Sequence, residues 1–360
     1  MMIYKKSFKD KKVIITGHTG FKGSWLTLWL SLLGANILGI SDRYPTYPSH
    51  FKDLKLKNKI KHKIFNIKDL KKLKKIFKEY QPDYVFHLAA QAIVNKSFKD
   101  PISTFESNTV GTLNVLESLR SVKKCNAVII TSDKSYKNLE IKRGYLENDI
   151  LGGNDPYSAS KGAAELVINS YINSYFQDKK KISIAIARAG NVIGGGDWSL
   201  DRIIPDCFKS WFKKKEIIIR NPKSTRPWQH VLDAIRGYLI LAIKLKDPGI
   251  HGEAFNFGPK NDQNKNVLEL VKEIKKNWHN ANWKIKNISK TQNKESNLLK
   301  LNSNKAKKYL NWTPVLNFKD SVKFTTDWYI EYKNKGKNFT SLISEKSIIE
   351  FNNLIKIKNR

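Results

Sequence analysis

The sequence predicts an α/β protein: a doubly wound parallel sheet followed by a smaller C-terminal lobe. Three observations carry this. Over the first half, short apolar runs rich in Val and Ile alternate with longer segments of helical period, the pattern of βαβ units. After Arg188 the alternation stops, and a glycine-rich stretch from Asn191 to Trp198 opens a less regular region. A length of 360 residues suffices for one large domain or two closely packed ones.

Taken in order, residues 13–16 form the first strand, followed by a glycine-rich turn and a helix through Ser24-Trp25-Leu26 to Leu33. Further strands are expected at 36–40, 63–65, 83–88, 127–131 and 183–188, with helices at 70–80, 103–120 and 156–176. This places a first domain at 1–188 and a second lobe at 189–340, whose helix at 231–245 packs back on the first domain. Residues 341–360 carry no motif that assigns them a role.

Composition narrows the possibilities. The formal charge is +34, with 66 Lys and Arg against 32 Asp and Glu. The lysines are spread along the whole chain, as in Lys71-Lys72, Lys179-Lys180-Lys181 and Lys213-Lys214-Lys215, and arginine is scarce beside them. That distribution describes a solvated surface rather than a nucleic-acid stripe, so no nucleic-acid partner is expected. A positive field still draws in an anionic small substrate. No apolar run approaches the roughly 18 residues of a membrane span, and the start is polar and lysine-rich; a cytoplasmic protein is the expectation. Cys125 and Cys207 match neither a disulfide framework nor a metal-ligand spacing, and no metal is expected.

Gly17-His18-Thr19-Gly20-Phe21-Lys22-Gly23 lies between a predicted strand and a predicted helix. Glycines there permit the tight turn and let backbone N–H groups approach a pyrophosphate resting on the helix N-terminus. The spacing is G-x-x-G-x-x-G rather than G-x-G-x-x-G. This makes the sheet Rossmann-type, with its ligand at the carboxyl ends of the strands. Asp42 follows the second strand where an acid accepts from the adenosine ribose, favouring NAD; Arg43 beside it suits the 2′-phosphate of NADP, and Asp42 also reads as an ordinary turn residue before Tyr44-Pro45.

Tyr157 and Lys161 stand four apart on a helix that Asp155 can cap and Pro156 can begin, which puts both on one face near its first turn. A nearby ammonium favours the phenolate and so makes tyrosine a base. The strand at 127–131 runs into Ser132-Asp133-Lys134, delivering a hydroxyl, a carboxyl and an amine to the sheet's carboxyl edge. The bland alternative for that triplet is a turn with Asp133 capping something local.

These residues resemble the extended short-chain dehydrogenase/reductase family, which includes nucleotide-sugar epimerases and dehydratases. Within it the likeness is to the CDP-glucose 4,6-dehydratases. It is carried by the Gly17–Leu26 stretch, His87-Leu88-Ala89-Ala90, Thr131-Ser132-Asp133-Lys134, Leu151-Gly152-Gly153-Asn154-Asp155-Pro156-Tyr157, Arg188-Ala189-Gly190-Asn191 through Gly194-Gly195-Gly196-Asp197-Trp198, and Arg226-Pro227-Trp228-Gln229-His230. The last hundred residues share it only thinly, through Lys305-Ala306 and Trp312-Thr313-Pro314. Two positions depart from the family: Asn66 stands where an aspartate usually bonds the adenine amine, and Ser135 where cysteine is common.

The resemblance implies an NAD-dependent hydro-lyase acting on a nucleotide sugar, CDP-glucose, towards deoxysugars for surface polysaccharide. Tyr157, assisted by Ser132, takes the C4 hydroxyl proton while hydride leaves C4; Lys161 bonds the nicotinamide ribose; Asp133 protonates the C6 hydroxyl. Lys134 either takes the C5 proton as a neutral amine or stabilises the enolate as a cation. Cofactor contacts are implied for Gly17, Gly20, Phe21, Lys22, Gly23, Asp42, Asn66, Ile67, Leu88, Ala89, Ala90, Tyr157 and Lys161, and substrate contacts for Asn191, Trp198, Arg202, Arg226 and Trp228. A homo-oligomer is implied, with the helices at 103–120 and 156–176 pairing across a two-fold axis. The competing readings are another nucleotide-sugar dehydratase, a 4-epimerase, or a non-catalytic dinucleotide- or nucleic-acid-binding protein of the same fold.

Overall fold

The apolar runs become strands buried on both faces. A computed structural model describes residues 2–260, 264–285 and 299–358. Among them, β1 (Lys12–Thr16), β2 (Asn36–Ser41), β3 (Lys61–Ile64), β4 (Tyr84–His87), β5 (Cys125–Ile130), β6 (Ile182–Ala189) and β7 (Ala254–Phe257) form one sheet in the order β7-β6-β5-β4-β1-β2-β3. Every pairing is parallel. Successive side chains point to opposite faces. Val13 and Ile15 therefore enter one core with Phe86, Val128 and Ala185, while Ile14 enters the other with Val85, Ile129 and Ile184. Apart from the exposed edge strand β3, neither face of the sheet is wet, so the strands read as continuous apolar runs rather than alternations.

The helices that frame the cleft are α1 (Phe21–Leu32), α2 (Leu70–Tyr80), α3 (Gly111–Leu119), α4 (Pro156–Tyr175), α5 (Val231–Lys244), α6 (Phe318–Lys335) and α7 (Thr340–Lys358). Trp25, Leu26 and Trp29 of α1 and Leu232, Ile235 and Leu239 of α5 cover the first core. Leu73 and Phe77 of α2, Val115 and Leu116 of α3, and Ile168 and Ile172 of α4 cover the second. Local chemistry starts these helices where the sequence says it should. Asp69 accepts from the Lys72 N–H at the head of α2, and Asp155 from the Ser158 N–H at the head of α4, where Pro156 takes the first position. Among the described residues no helix is long and apolar enough to cross a membrane.

Three features depart from the sequence expectation. The helix expected over 103–120 is broken into Pro101–Phe105, a π-helical turn at Glu106–Val110, and α3. The cause sits at Asn108, whose amide donates to the Gln91 carbonyl and to Ser160 Oγ on α4 and whose Oδ1 accepts from the Gln91 N–H. These bonds draw the chain outward by one residue. The sheet does not end at residue 188: β7 pairs with β6 from beyond it, and Asn126 Nδ2 donates to the Ala242 carbonyl of α5. The stretch after Thr340, silent in sequence, is the helix α7, with Ile343, Ile348 and Phe351 buried; Asn359 and Arg360 lie outside the described residues. Its buried stripe also carries Ser344, which meets His50 Nε2 at 3.1 Å and the Trp328 indole N–H at 2.9 Å, so a polar residue interrupts the apolar period.

Chain order reverses between β1 and β4, so a crevice opens at their carboxyl ends. Thr16 and His87 close those strands side by side. Everything chemical in the molecule is hung around that point.

Candidate active site

The glycine loop is shaped by close approach. Gly17 has φ +79°, and a Cβ there would lie 2.6 Å from the Ala89 nitrogen; a Cβ on Gly23 would lie 2.1 Å from the Gly17 carbonyl oxygen. At Gly20, the residue preceding α1, only that same oxygen is near, at 3.3 Å, and no side chain caps the helix. The first-turn N–H groups are thus left to an outside acceptor, which fits the pyrophosphate of a dinucleotide. Half-buried Leu88, Ala89 and Ala90 follow β4 along the opposite lip, with Leu88 N–H bonded to the Thr16 carbonyl. Beneath the loop, buried His18 fills the space over Gly39, and its ring bonds Ser41 Oγ at 2.9 Å and His62 Nδ1 at 2.9 Å.

Beyond the end of β2 the surface is open. Asp42 and Arg43 pair with each other at 2.8 Å, their side chains 41% and 65% exposed. Asn66 is exposed and accepts from the Lys68 N–H, while Ile67 is buried against Gly111. Arg43 is therefore engaged by its own neighbour rather than standing apart as a phosphate clamp.

The reactive groups lie at the other end, and they are buried. Ser132, Asp133, Tyr157 and Lys161 are each less than 9% exposed, and Lys134 is half-buried. Ser132 Oγ donates to Asp133 Oδ1 at 2.9 Å and accepts from the Lys134 N–H at 3.2 Å. Asp133 Oδ2 is buried with no hydrogen-bond partner, and a Cβ at Gly190 would sit 3.0 Å from it. Glycine at 190 keeps the approach to that oxygen clear. Burial raises the Asp133 carboxyl above the usual range, against the pull of Lys134, Ser132 and Lys22. The same desolvation pushes Tyr157 up to about 12, opposed by hydrogen bonding to Ser132, and pushes Lys161 down to about 8, opposed by Glu165. The phenol thus lies above its ordinary value, where the sequence pattern favoured a phenolate: in this site desolvation outweighs the attraction of neighbouring cations.

Lys22 joins this group. It is half-buried on the first turn of α1, with Nζ 3.5 Å from Tyr238 OH; desolvation, Arg202 and Lys161 lower it to about 8, while Asp133 and Asp197 oppose them. Arg202 also reaches Tyr157 electrostatically and is bonded to Asp197 Oδ2 at 3.2 Å, so the structure brings this substrate candidate to the reactive end. Half-buried Asn191 accepts the Gln229 N–H through its carbonyl, and half-buried Arg226 lies in a short antiparallel pairing with Lys265. The two tryptophans expected beside the sugar or base, Trp198 and Trp228, are each 3% exposed. Trp198 packs against Tyr329 and Tyr332 with ring centroids 5.2 Å away, and Trp228 donates its indole N–H to the Lys265 carbonyl.

Sequence reasoning passed over Glu165 and Arg188, a fully buried ion pair directly beneath the triplet. The available signal was spacing: Glu165 lies four residues after Lys161, hence on the same helix face.

Comparison with known proteins agrees with this geometry. The family described as GDP-mannose 4,6 dehydratase matches residues 14–325. The CDP-glucose 4,6-dehydratase of Salmonella typhimurium is 42% identical over 335 residues, 91% of this chain and 93% of that protein. Among solved structures, the epimerase Mth375 of Methanothermobacter thermautotrophicus superimposes with a TM-score of 0.80 at 27% identity, covering 93% of this chain and 96% of that one. The dTDP-glucose 4,6-dehydratase of Bacillus anthracis, solved in complex with NAD, gives a TM-score of 0.75 at 20% identity over 91% of this chain and 99% of that one, a likeness of fold.

Proposed function

The chain belongs to the GDP-mannose 4,6-dehydratase family, and from that premise we propose that this NAD-dependent nucleotide-sugar 4,6-dehydratase converts CDP-glucose to CDP-4-keto-6-deoxyglucose and water. One observation carries the reading: a buried carboxyl with an unpartnered oxygen, Asp133 Oδ2, beside a Ser-Tyr-Lys set. Epimerisation at C4 needs only serine, tyrosine and lysine. A carboxyl raised by burial is a proton donor, and elimination is the step that needs one.

Each role follows from chemistry and position. NAD⁺, when bound, would supply the acceptor for the C4 hydride and the donor for its return to C6, so that it would not be consumed. Tyr157 removes the C4 hydroxyl proton, with Ser132 holding that hydroxyl and Lys161 bonding the nicotinamide ribose. The C4 ketone acidifies C5–H, and Lys134 takes that proton; its amine acts as base when neutral. Asp133 Oδ2 protonates the departing C6 hydroxyl. Gly17, Gly20, Phe21, Lys22 and Gly23 would hold the pyrophosphate, Asp42 the adenosine ribose, and Asn66 with Ile67 the adenine. Asn191, Arg202 and Arg226 serve the substrate diphosphate. The enzyme works in the cytoplasm without nucleic-acid partners, as a homo-oligomer joined through the exposed apolar side chains of Ile102, Val110 and Leu166.

The decisive experiment incubates purified protein with NAD⁺ and CDP-, UDP-, GDP- or dTDP-glucose and follows the 4-ketone by its absorbance in alkali. CDP-glucose is expected to give the fastest turnover. A faster rate on another nucleotide would overturn the base assignment, and inactivity on all four would overturn dehydration itself.

A further inference from the structure

Glu165 is 0% exposed, and its carboxylate gathers donors from three directions. Thr131 Oγ1 donates to Oε1 at 2.7 Å and Ser135 Oγ donates to the same oxygen at 2.9 Å. Arg188 Nε lies 2.9 Å from Oε1 and 3.0 Å from Oε2, and Arg188 Nη2 completes a bidentate pair with Oε2. The two hydroxyl donors are the residues immediately before and immediately after Ser132-Asp133-Lys134. Ser135 Oγ also meets the Ser132 carbonyl, closing the turn on itself. One carboxylate thus holds both ends of the triplet. Arg188 in turn donates to Tyr136 OH and to the Glu147 carbonyl, and leads along β6 to Gly190, the residue facing Asp133 Oδ2.

We infer that Glu165 is a positioning residue shared by the two halves of the reaction: it clamps the Ser132-Asp133-Lys134 turn through Thr131 and Ser135, and one helical turn away it faces the Lys161 ammonium. The inference rests on the catalytic roles assigned above. A buried ion pair alone is weak evidence for anything but burial, since apolar replacements are often equally stable. Here the carboxylate is bonded to the residues bracketing the reactive triplet, and it is the group that opposes desolvation at Lys161. The other charges facing Lys161 are Lys22 from α1 and His87 from β4, and neither favours an ammonium; burial holds His87 far below its ordinary value, hence neutral. Among the described residues Glu165, one helical turn from Lys161, is the acid that opposes desolvation there.

The test uses the full-length enzyme with NAD⁺ and whichever of the four nucleotide-diphosphate glucoses the wild type turns over fastest, so that an error in base assignment does not affect it. Glu165→Gln is expected to lower kcat on the order of 100-fold, the scale of a slight misplacement of reacting groups, with KM unchanged. It is also expected to move the alkaline limb of the kcat profile to lower pH, because Lys161 then loses its proton sooner. Thr131→Val and Ser135→Ala remove one clamp bond each without leaving a buried charge; both lower kcat while leaving the alkaline limb in place, and Ser135→Cys recovers part of the loss. A folded Glu165→Gln enzyme with the wild-type alkaline limb would overturn the inference. If that variant does not fold, wild-type kcat in both hydroxyl variants overturns it instead.

Discussion

The two ends of the crevice handle charge in opposite ways. At the end proposed for the adenosine, Asp42 and Arg43 are partly exposed and pair with each other, and Asn66 accepts a bond from the local Lys68 N–H. At the reactive end, Asp133, Tyr157 and Lys161 are withdrawn from water, and desolvation displaces each from its ordinary titration range. Recognition tolerates solvent because hydrogen-bond geometry is enough. At the reactive end burial favours the uncharged form of each group, raising the Asp133 carboxyl towards the proton donor that elimination needs.

The contrast can be broken by mutation, starting where the effect is largest. Tyr157→Phe removes the base at the buried end and is expected to reduce kcat on the order of 10⁴-fold; the absence of a pre-steady-state NADH signal at 340 nm would locate the block at hydride transfer. Arg188→Met strands Glu165 as an unpaired buried charge, and urea denaturation is expected to show a loss of about 3–5 kcal/mol. Such a penalty has no counterpart for the exposed Asp42–Arg43 pair, where separating the charges changes stability by less than about 1 kcal/mol.

Asp133→Asn keeps the acceptor for Ser132 but cannot protonate a leaving group. It is expected to slow water loss about 100-fold while NADH still forms, so the reduced cofactor accumulates under stopped flow. Lys134→Met is its partner experiment: in deuterated solvent the variant is expected to stop exchanging the C5 hydrogen, and exchange at the wild-type rate would move Lys134 from base to enolate stabiliser. Lys161 is cationic below about 8 and neutral above it, so activity that depends on its ammonium is fully present at lower pH and is lost as pH rises through that value. Lys161→Arg is expected to abolish this alkaline limb, whatever it does to the rate. The smallest change belongs to the exposed end. Asp42→Asn is expected to weaken NAD binding about tenfold, the scale of one charge-assisted hydrogen bond, without altering kcat at saturating cofactor.

Within single elements, the sequence was readable wherever local chemistry and periodicity agree. Asp69, Asp155 and Pro156 mark helix starts that appear where expected, and Leu70–Tyr80 was bounded to the residue because its apolar positions recur with helical period. Interpretation failed where a distant partner overrides the local pattern. Asn108 bends an otherwise regular helix by bonding Gln91 and Ser160, and α7 stayed hidden because part of its inward face is polar and satisfied by His50 and Trp328.

By itself the sequence determined the alternation of strands and helices as far as the strand at 183–188, the glycine loop built on Gly17 and Gly23, and the residue types gathered at the end of the fifth strand, since all of these depend on neighbours within a few positions. Only the tertiary structure decided what those residues are as chemical groups. Burial raises the Asp133 carboxyl while Gly190 leaves the approach to its second oxygen clear, and the turn that carries it is held from beneath by Glu165 and Arg188, one on α4 and one on β6. Burial is a property of the whole fold, and it sets the protonation on which this chemistry depends.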